Sequence, residues 1–135
     1  MVKTVKITQK VTIPATPMEV YEAYIDGEKQ SEFTGSKATS DSRVGGAFTA
    51  WDGYITGKYI ELEPGKKIVQ EWTSTDFPEG TPPSRFEISL KESKSGTELT
   101  MVHSGVPEDA AEDIGQGWKD YYWEPMKKYF NDRKR

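Results

Sequence analysis

The first residues of the chain alternate between apolar and polar side chains with a period of two. In residues 2–13, Lys and Thr side chains fall on one face, and the other face is an apolar set: Val5, Ile7, Val11 and Ile13. This period is typical of a β-strand that buries one face. The pattern therefore predicts a half-buried strand over these residues.

Helix signals follow that strand directly. Thr16 is a favourable N-cap, Pro17 suits the first helical position, and Glu19 stands three residues after Thr16, where it closes a capping box. Gly27 is predicted to end this helix, because glycine is common just past a helix C-terminus. A short second helix is predicted to reach about Phe33.

Turn residues punctuate the chain from position 35 to position 105. The turn signals are Gly45-Gly46, Asp52-Gly53, Glu63-Pro64-Gly65 and Ser95-Gly96. The Asp-Gly pair is the strongest hairpin signal among them. The strands predicted between the turns are 47–51, 54–62, 67–74, 85–91 and 97–104, with a proline-rich loop over 76–83. Successive hairpins predict an antiparallel sheet of six to seven strands, the first strand included.

The last segment changes to helical spacing. Its apolar residues recur at steps of three and four: Ile114, Trp118, Tyr121, Tyr122, Pro125, Tyr129 and Phe130. Pro125 removes a backbone donor inside this helix, so a kink is predicted there. A helix over about 109–131 would be roughly 33 Å long, enough to cover one face of a sheet.

This order of elements predicts one α+β domain over residues 1–135. Two short helices follow the first strand, and a curved antiparallel sheet wraps around the long C-terminal helix. A curved sheet that wraps a helix tends to leave a cavity between them. We therefore expect a cavity lined by the inner faces of the strands and by the apolar stripe of the helix.

Composition narrows the classes of function. The chain has no cysteine, which removes disulfides, thiolate catalysis and thiolate metal sites. Its single histidine cannot form a metal site alone, so we expect neither metal nor cofactor. The net charge of −4 argues against a nucleic-acid partner, which needs a basic face. No apolar run is long enough to cross a bilayer, and the N-terminus lacks an apolar signal core, so we expect a cytoplasmic protein without a membrane partner.

The cavity candidates are the larger or polar residues that fall on inward faces. Strand phase and the helical stripe select Gln70, Trp72, Phe86, Met101, His103, Trp118 and Tyr122. Aromatic walls with a few polar groups are how small-molecule sites are usually built, although each of these residues could also be ordinary core. His103 is either a polar anchor or general base in the cavity, or a strand-end histidine bonded to a neighbouring loop. The strand carboxylates, such as Glu71 and Glu87, fall on the opposite, solvated face.

A set of short motifs, ordered along most of the chain, carries a family resemblance. The motifs are Phe33-Thr34-Gly35, Arg43-Val44-Gly45-Gly46, Asp52-Gly53, Gly57, Glu63-Pro64 with Ile68 and Trp72, His103-Ser104-Gly105-Val106-Pro107, and Gly117-Trp118 with Tyr121-Tyr122. The set resembles the C-terminal domain of the activator-of-heat-shock-protein-ATPase homologues. These belong to the START-like (SRPBCC) superfamily, and the resemblance implies its helix-grip fold.

The resemblance also bears on function. In the eukaryotic co-chaperone this domain is the C-terminal half and helps to dock the ninety-kilodalton heat-shock chaperone. We expect no room in 135 residues for the other half, which carries the main chaperone-stimulating segment. Other superfamily members bind lipids, hormones or polyketides in the central cavity, and a few catalyse reactions there.

Three functions follow as hypotheses. The favoured one is a non-enzymatic domain that binds a small apolar or aromatic molecule between the sheet and the C-terminal helix. The second is a polyketide-cyclase-type enzyme with His103 and either Gln70 or Tyr122 as acid–base groups. The third is chaperone docking, which is implied by the resemblance alone. We favour binding because only one titratable group is predicted to face the cavity, whereas acid–base catalysis generally pairs two.

Overall fold

Seven antiparallel strands form one curved sheet in the described part of this computed structural model, which covers residues 3–75 and 77–133. The strands are β1 (Thr4–Ile13), β2 (Thr39–Ser40), β3 (Ala47–Ala50), β4 (Ile55–Glu63), β5 (Lys67–Ser74), β6 (Ser84–Ser93) and β7 (Gly96–Pro107). Their order in the sheet is β1-β7-β6-β5-β4-β3-β2. The predicted antiparallel sheet is confirmed, and the two-residue edge strand β2 is an addition to it. Residue 2 of the first predicted strand and residue 76 of the predicted loop lie outside the described residues.

Two short helices follow β1, as predicted: α1 (Pro17–Ile25) and α2 (Gly27–Thr34). The capping box is present, with the Glu19 N–H donating to Thr16 Oγ1 and the Thr16 N–H donating to the Glu19 carboxylate. The prediction that Gly27 ends α1 is wrong, because Asp26 both ends α1 and caps α2. The Asp26 N–H bonds to the Glu22 carbonyl, and its carboxylate accepts the Lys29 N–H at 3.1 Å.

The C-terminal helix runs through three consecutive segments: α3 (Glu108–Trp118), a π-helical turn (Lys119–Trp123) and α4 (Glu124–Arg133). Within the π turn the Glu124 N–H bonds to the Lys119 carbonyl, five residues back. The next residue is Pro125, which has no N–H to donate. The irregularity predicted at Pro125 therefore takes the form of a wide turn immediately before it.

Gln9 of β1 fastens this wide turn to the sheet. The Lys119 N–H bonds to the Gln116 carbonyl, three residues back, rather than to Gly115. Gln9 Nε2 donates to the Gly115 carbonyl at 2.7 Å, and Gln9 Oε1 accepts from Trp123 Nε1 at 2.8 Å. One side-chain amide thus bonds a helix carbonyl before the turn and an indole at its end, and it holds the helix above β1.

The two faces of the sheet differ as the alternation predicts. The inner face is buried against the helices, and its largest fully buried side chains include Tyr59, Ile68, Phe86, Ile88, Leu99 and Met101. On the outer face, cross-strand ion pairs join Lys58 with Glu71, Lys67 with Glu61 and Lys10 with Glu98, and Arg85 pairs with Glu87 along β6. Over residues 3–75 and 77–133, no helix has the length and apolar character needed to cross a membrane.

Candidate functional site

His103 of β7 lies at the centre of a hydrogen-bonded chain that joins the C-terminal helix to three strands. Trp118 Nε1 donates to His103 Nδ1 at 3.1 Å. On the other side of the ring, His103 Nε2 is 2.8 Å from Ser84 Oγ on β6, and the Ser84 hydroxyl donates to the Trp72 carbonyl on β5 at 2.7 Å. The imidazole is 0% exposed. Both of its nitrogens are therefore satisfied inside the protein.

The partners of His103 select one tautomer. An indole N–H can only donate, so Nδ1 must be the unprotonated nitrogen. The single hydroxyl proton of Ser84 goes to the Trp72 carbonyl, so Nε2 carries the proton and donates to Ser84 Oγ. Burial lowers the pKa of His103 to about 3, because the charged ring would lose its hydration. At neutral pH the residue is a neutral, fully bonded core histidine.

Trp118 of α3 fills the space beneath the sheet. Its ring stacks on Phe86 with centroids 4.3 Å apart, and it lies 4.5 Å from the Tyr122 ring and 5.8 Å from the Trp72 ring. Trp118 is 2% exposed. The aromatic residues that the sequence places on the inner faces therefore pack directly against one another.

The enclosed space that remains between the sheet and the first helices is small. A cavity of about 10 Å³ touches Gln70, Trp72 and Tyr122, which is room for about one water molecule. The Tyr24 hydroxyl donates to Gln70 Oε1 at 3.0 Å beside it. Burial raises the pKa of Tyr24 and of Tyr122, so both phenols stay protonated at neutral pH.

A larger space opens where the C-terminal helix leaves the sheet. We call it the rim groove; its volume is about 650 Å³ and it lies between α3, the π turn and the ends of β3, β4 and β5. Six aromatic residues line it: Trp51, Tyr54, Trp72, Trp118, Tyr121 and Tyr122. Its other lining residues are Ile55, Ser74, Ala110, Asp113, Ile114 and Gly117. The groove is thus an aromatic-walled cleft that is open to solvent.

Trp51 is held at the edge of this groove by an unusual backbone. It was predicted to extend β3, but the strand ends at Ala50, and Trp51 and Asp52 have φ values of 53° and 58° in the left-handed region. A bulky residue rarely adopts this conformation. The Trp51 indole donates to the Tyr122 hydroxyl at 3.1 Å, and its ring meets the Tyr121 ring edge-on at 5.4 Å.

The seven cavity residues predicted from the sequence therefore fall into three groups. Trp72, Trp118 and Tyr122 line the rim groove. Gln70 borders the small enclosed cavity. Phe86, Met101 and His103 are 0% exposed in the packed core and line neither space, because Trp118 fills the space that they face.

Several groove residues were missed by sequence reasoning. Trp51 and Tyr54 flank the Asp52-Gly53 turn. Two aromatic residues on either side of a hairpin turn are the sequence signal that could have indicated an aromatic wall there. The helical spacing predicts Tyr121 on the inner stripe of the helix, but its side chain is 57% exposed, because the π turn shifts the helical phase after Trp118. No group of three or more metal-binding side chains comes together among the described residues.

The sequence matches a family model described as Activator of Hsp90 ATPase homolog 1-like protein over residues 14–131. Among curated proteins, it is 34% identical over 129 residues to the Activator of 90 kDa heat shock protein ATPase homolog 1 of Homo sapiens. That alignment covers 96% of this chain and 38% of the human protein. The chain thus spans about two fifths of the length of that relative.

Solved structures share the fold. An HSP90 activator from Plasmodium falciparum superposes with a TM-score of 0.81 at 23% identity, covering 95% of this chain and 96% of that one. A protein from Chromobacterium violaceum superposes with a TM-score of 0.75 at 26% identity, covering 92% and 95%. Both alignments extend over nearly the whole chain, including the sheet and the C-terminal helix.

Proposed function

This chain belongs to the family of Activator of Hsp90 ATPase homolog 1-like proteins, and within that family we propose that it is a non-enzymatic binding domain. Its ligand is a small apolar or aromatic molecule, and the ligand binds in the rim groove between the sheet and the C-terminal helix. The sequence predicts a ligand in an internal cavity, but Trp118 is buried in that space, so we propose the rim groove as the ligand site.

The observation that carries the proposal is the groove itself. Its volume of about 650 Å³ lies in the range of small-molecule sites, which is roughly 300–1,000 Å³. Tyr54 and Tyr121 are 40% and 57% exposed beside it. Aromatic rings on an open cleft can bury much of a ligand's apolar surface, and burial of apolar surface drives binding.

Gly117 supports the proposal from the middle of the groove wall. Glycine inside a helix costs roughly 0.5–1 kcal/mol relative to alanine. A Cβ at Gly117 would meet only the Tyr121 ring, at an ordinary contact distance of 3.7 Å. Core packing therefore gives no reason for glycine at this position. Its lack of a side chain keeps the groove open between α3 and the sheet.

The absence of catalysis is inferred from the state of His103. A general base needs a free lone pair that can reach a substrate. The Nδ1 lone pair of His103 is occupied by the Trp118 indole, and the ring is buried away from the groove. Tyr122 and Gln70, the other acid–base candidates, are engaged with Trp51 and Tyr24. The enzyme hypothesis therefore receives no support from these residues.

Two measurements test the binding function. Native mass spectrometry of protein purified from its own source should detect a retained small molecule as added mass. The neutral fluorescent probe N-phenyl-1-naphthylamine should gain emission on titration and saturate at one equivalent, with perturbed indole signals from Trp51 and Trp72 in NMR spectra. Protein without added mass, and no saturable signal from this probe, would overturn the proposal.

Chaperone docking is a second candidate function, favoured by the 34% identity to a human activator of a heat-shock-protein ATPase. Under this second hypothesis, the chain binds the 90 kDa heat shock chaperone of its own organism. Titration calorimetry with that purified chaperone should give saturable heat, and the chaperone's ATPase rate should change at saturation. Neither heat nor a rate change at high concentration would remove this candidate and would leave the groove proposal unaffected.

A further inference from the structure

The charge at the lining of the rim groove is negative. Asp113 of α3 is the only charged side chain among the described residues that line it; no Lys, Arg or His does so. Asp113 is exposed. It makes no hydrogen bond or ion pair within the described residues. Among the described residues, the groove therefore has one negative charge without an ion-pair partner beside its aromatic walls.

The helix places this carboxylate in line with the aromatic edge of the groove. Asp113, Gly117 and Tyr121 are separated by four residues each, so the first two share one helix face. Gly117 has no side chain, and a Cβ there would be 3.7 Å from the Tyr121 ring, so this ring lies about one helical turn from Asp113 along the groove wall. Across the cleft, Trp51 meets the Tyr121 ring edge-on with centroids 5.4 Å apart.

The aromatic walls of the groove favour a cation, as the Asp113 carboxylate does. The face of an aromatic ring carries partial negative charge and binds an organic cation within about 6 Å of its centroid. Indole is the strongest of the natural rings in this respect, and phenol also contributes. An anionic ligand would be repelled by Asp113 and by the ring faces alike. The charge of the walls thus distinguishes among apolar ligands of equal size.

We propose that the rim groove prefers aromatic organic cations to neutral molecules of the same shape, with the ammonium group between Asp113 and the Trp51 and Tyr121 rings. This inference rests on the proposed function, since it names the chemical class of ligand for the same groove. The apolar part of the ligand lies against the deeper Trp72 and Trp118 rings. The positive charge stays near the solvent-exposed mouth, where its hydration is only partly lost.

The test compares two molecules of one shape. Benzyltrimethylammonium and its uncharged carbon isostere neopentylbenzene are titrated separately into the full chain, and binding is followed by the Trp51 indole signal in NMR spectra. We expect the cation to bind about fivefold more tightly than the isostere. Asp113→Asn should remove most of that preference by weakening the cation alone. Glu112→Gln, a charge removal on a neighbouring exposed residue outside the groove, should leave both affinities unchanged.

The possible outcomes distinguish failure of the cation preference from failure of the proposed binding function. Equal affinities for the two molecules, or equal effects of Asp113→Asn and Glu112→Gln, would overturn the cation preference. Saturable binding of N-phenyl-1-naphthylamine in the same groove would then still support the binding function. If neither that neutral probe nor benzyltrimethylammonium binds, the binding function and the cation preference both fail.

Discussion

The Trp118 indole donates its hydrogen bond to His103 Nδ1 at 3.1 Å, and this contact joins the C-terminal helix to the centre of the sheet. Because an indole only donates, the contact holds the imidazole in its neutral Nε2–H form. His103 in turn bonds to Ser84, which bonds to the Trp72 carbonyl. The depth and rotation of the helix are thus set by a polar chain within an aromatic core.

Truncation of Trp118 should be among the most damaging substitutions in the protein. Trp118→Ala removes a buried ring that stacks on Phe86 at 4.3 Å and leaves the His103 Nδ1 unbonded. We expect a loss of about 3–5 kcal/mol in the free energy of unfolding, measured by denaturant titration. Tyr121→Ala, which truncates an exposed ring on the same helix, is the control and should cost far less. Equal losses in the two variants would mean that burial of the Trp118 ring does not stabilise the fold more than an exposed ring does.

Stability should fall in mildly acidic solution because of His103. Its pKa is about 3 in the folded protein and 6.5 as the reference value for the unfolded chain. The unfolded state therefore binds the extra proton first, and the contribution of His103 is complete above pH 6.5 and is lost as the pH falls toward 3. From about pH 7.5 to about pH 5.5 the free energy of unfolding should drop by about 1.4 kcal/mol.

The matched variant for this pH effect is His103→Gln, which keeps a polar side chain but has no titrating ring. Its free energy of unfolding should change little over the same interval, even though its absolute stability is lower. A wild-type protein whose stability is flat over that interval would show that His103 is accessible to protons in the native state.

Gln9 should contribute more stability than its position on an edge strand suggests. Gln9→Leu leaves the Gly115 carbonyl and the Trp123 indole without their 2.7 and 2.8 Å partners. Loss of these bonds should cost about 1–3 kcal/mol in chemical denaturation. Lys6→Leu places the same side chain on an exposed position of the same strand and should stay within about 0.5 kcal/mol of the wild type. A similarly small effect of Gln9→Leu would mean that the wide turn is stable without this amide.

The order of the elements could be predicted from the sequence because period-two and helical spacing alternate cleanly along the chain. The capping box at Thr16 and the hairpin at Asp52-Gly53 depend on residues that are near in sequence. The capping box formed as predicted, and the hairpin formed with a longer loop, over residues 51–54, than the predicted two-residue turn. Gly27 was misassigned because Asp26 can serve as the cap of two helices at once. The π turn could not be predicted from the apolar stripe of the C-terminal helix. Its hydrogen bonds depend on Pro125 and on Gln9, which lies near the other end of the chain.

The candidate site could be predicted only in part. Strand phase correctly placed Trp72 and Phe86 on the inner face, but phase does not say whether the space between the layers is filled. The stack of Trp118 on Phe86 decides that question, and it depends on side-chain volumes on both α3 and β6. The groove at the rim depends on the left-handed backbone of Trp51, which alternation alone did not indicate.

A methyl group at Gly117 should stabilise the protein. Gly117→Ala gains helix propensity, and its Cβ would make only an ordinary contact with Tyr121 at 3.7 Å. The free energy of unfolding should rise by roughly 0.5–1 kcal/mol in thermal or chemical denaturation. A loss of stability would indicate that the helix needs glycine here for its backbone and not for the groove.

The most direct test of ligand binding in the rim groove fills the groove without changing a buried side chain. Gly117→Leu extends a side chain into the groove, while Glu112→Leu places the same side chain on the exposed part of the same helix, outside the groove. The affinity of N-phenyl-1-naphthylamine is measured by fluorescence titration for both variants, after thermal unfolding has established that each is folded. We expect Gly117→Leu to abolish saturable binding and Glu112→Leu to bind the probe as the wild type does. Undiminished binding to folded Gly117→Leu would show that the probe does not bind in the rim groove.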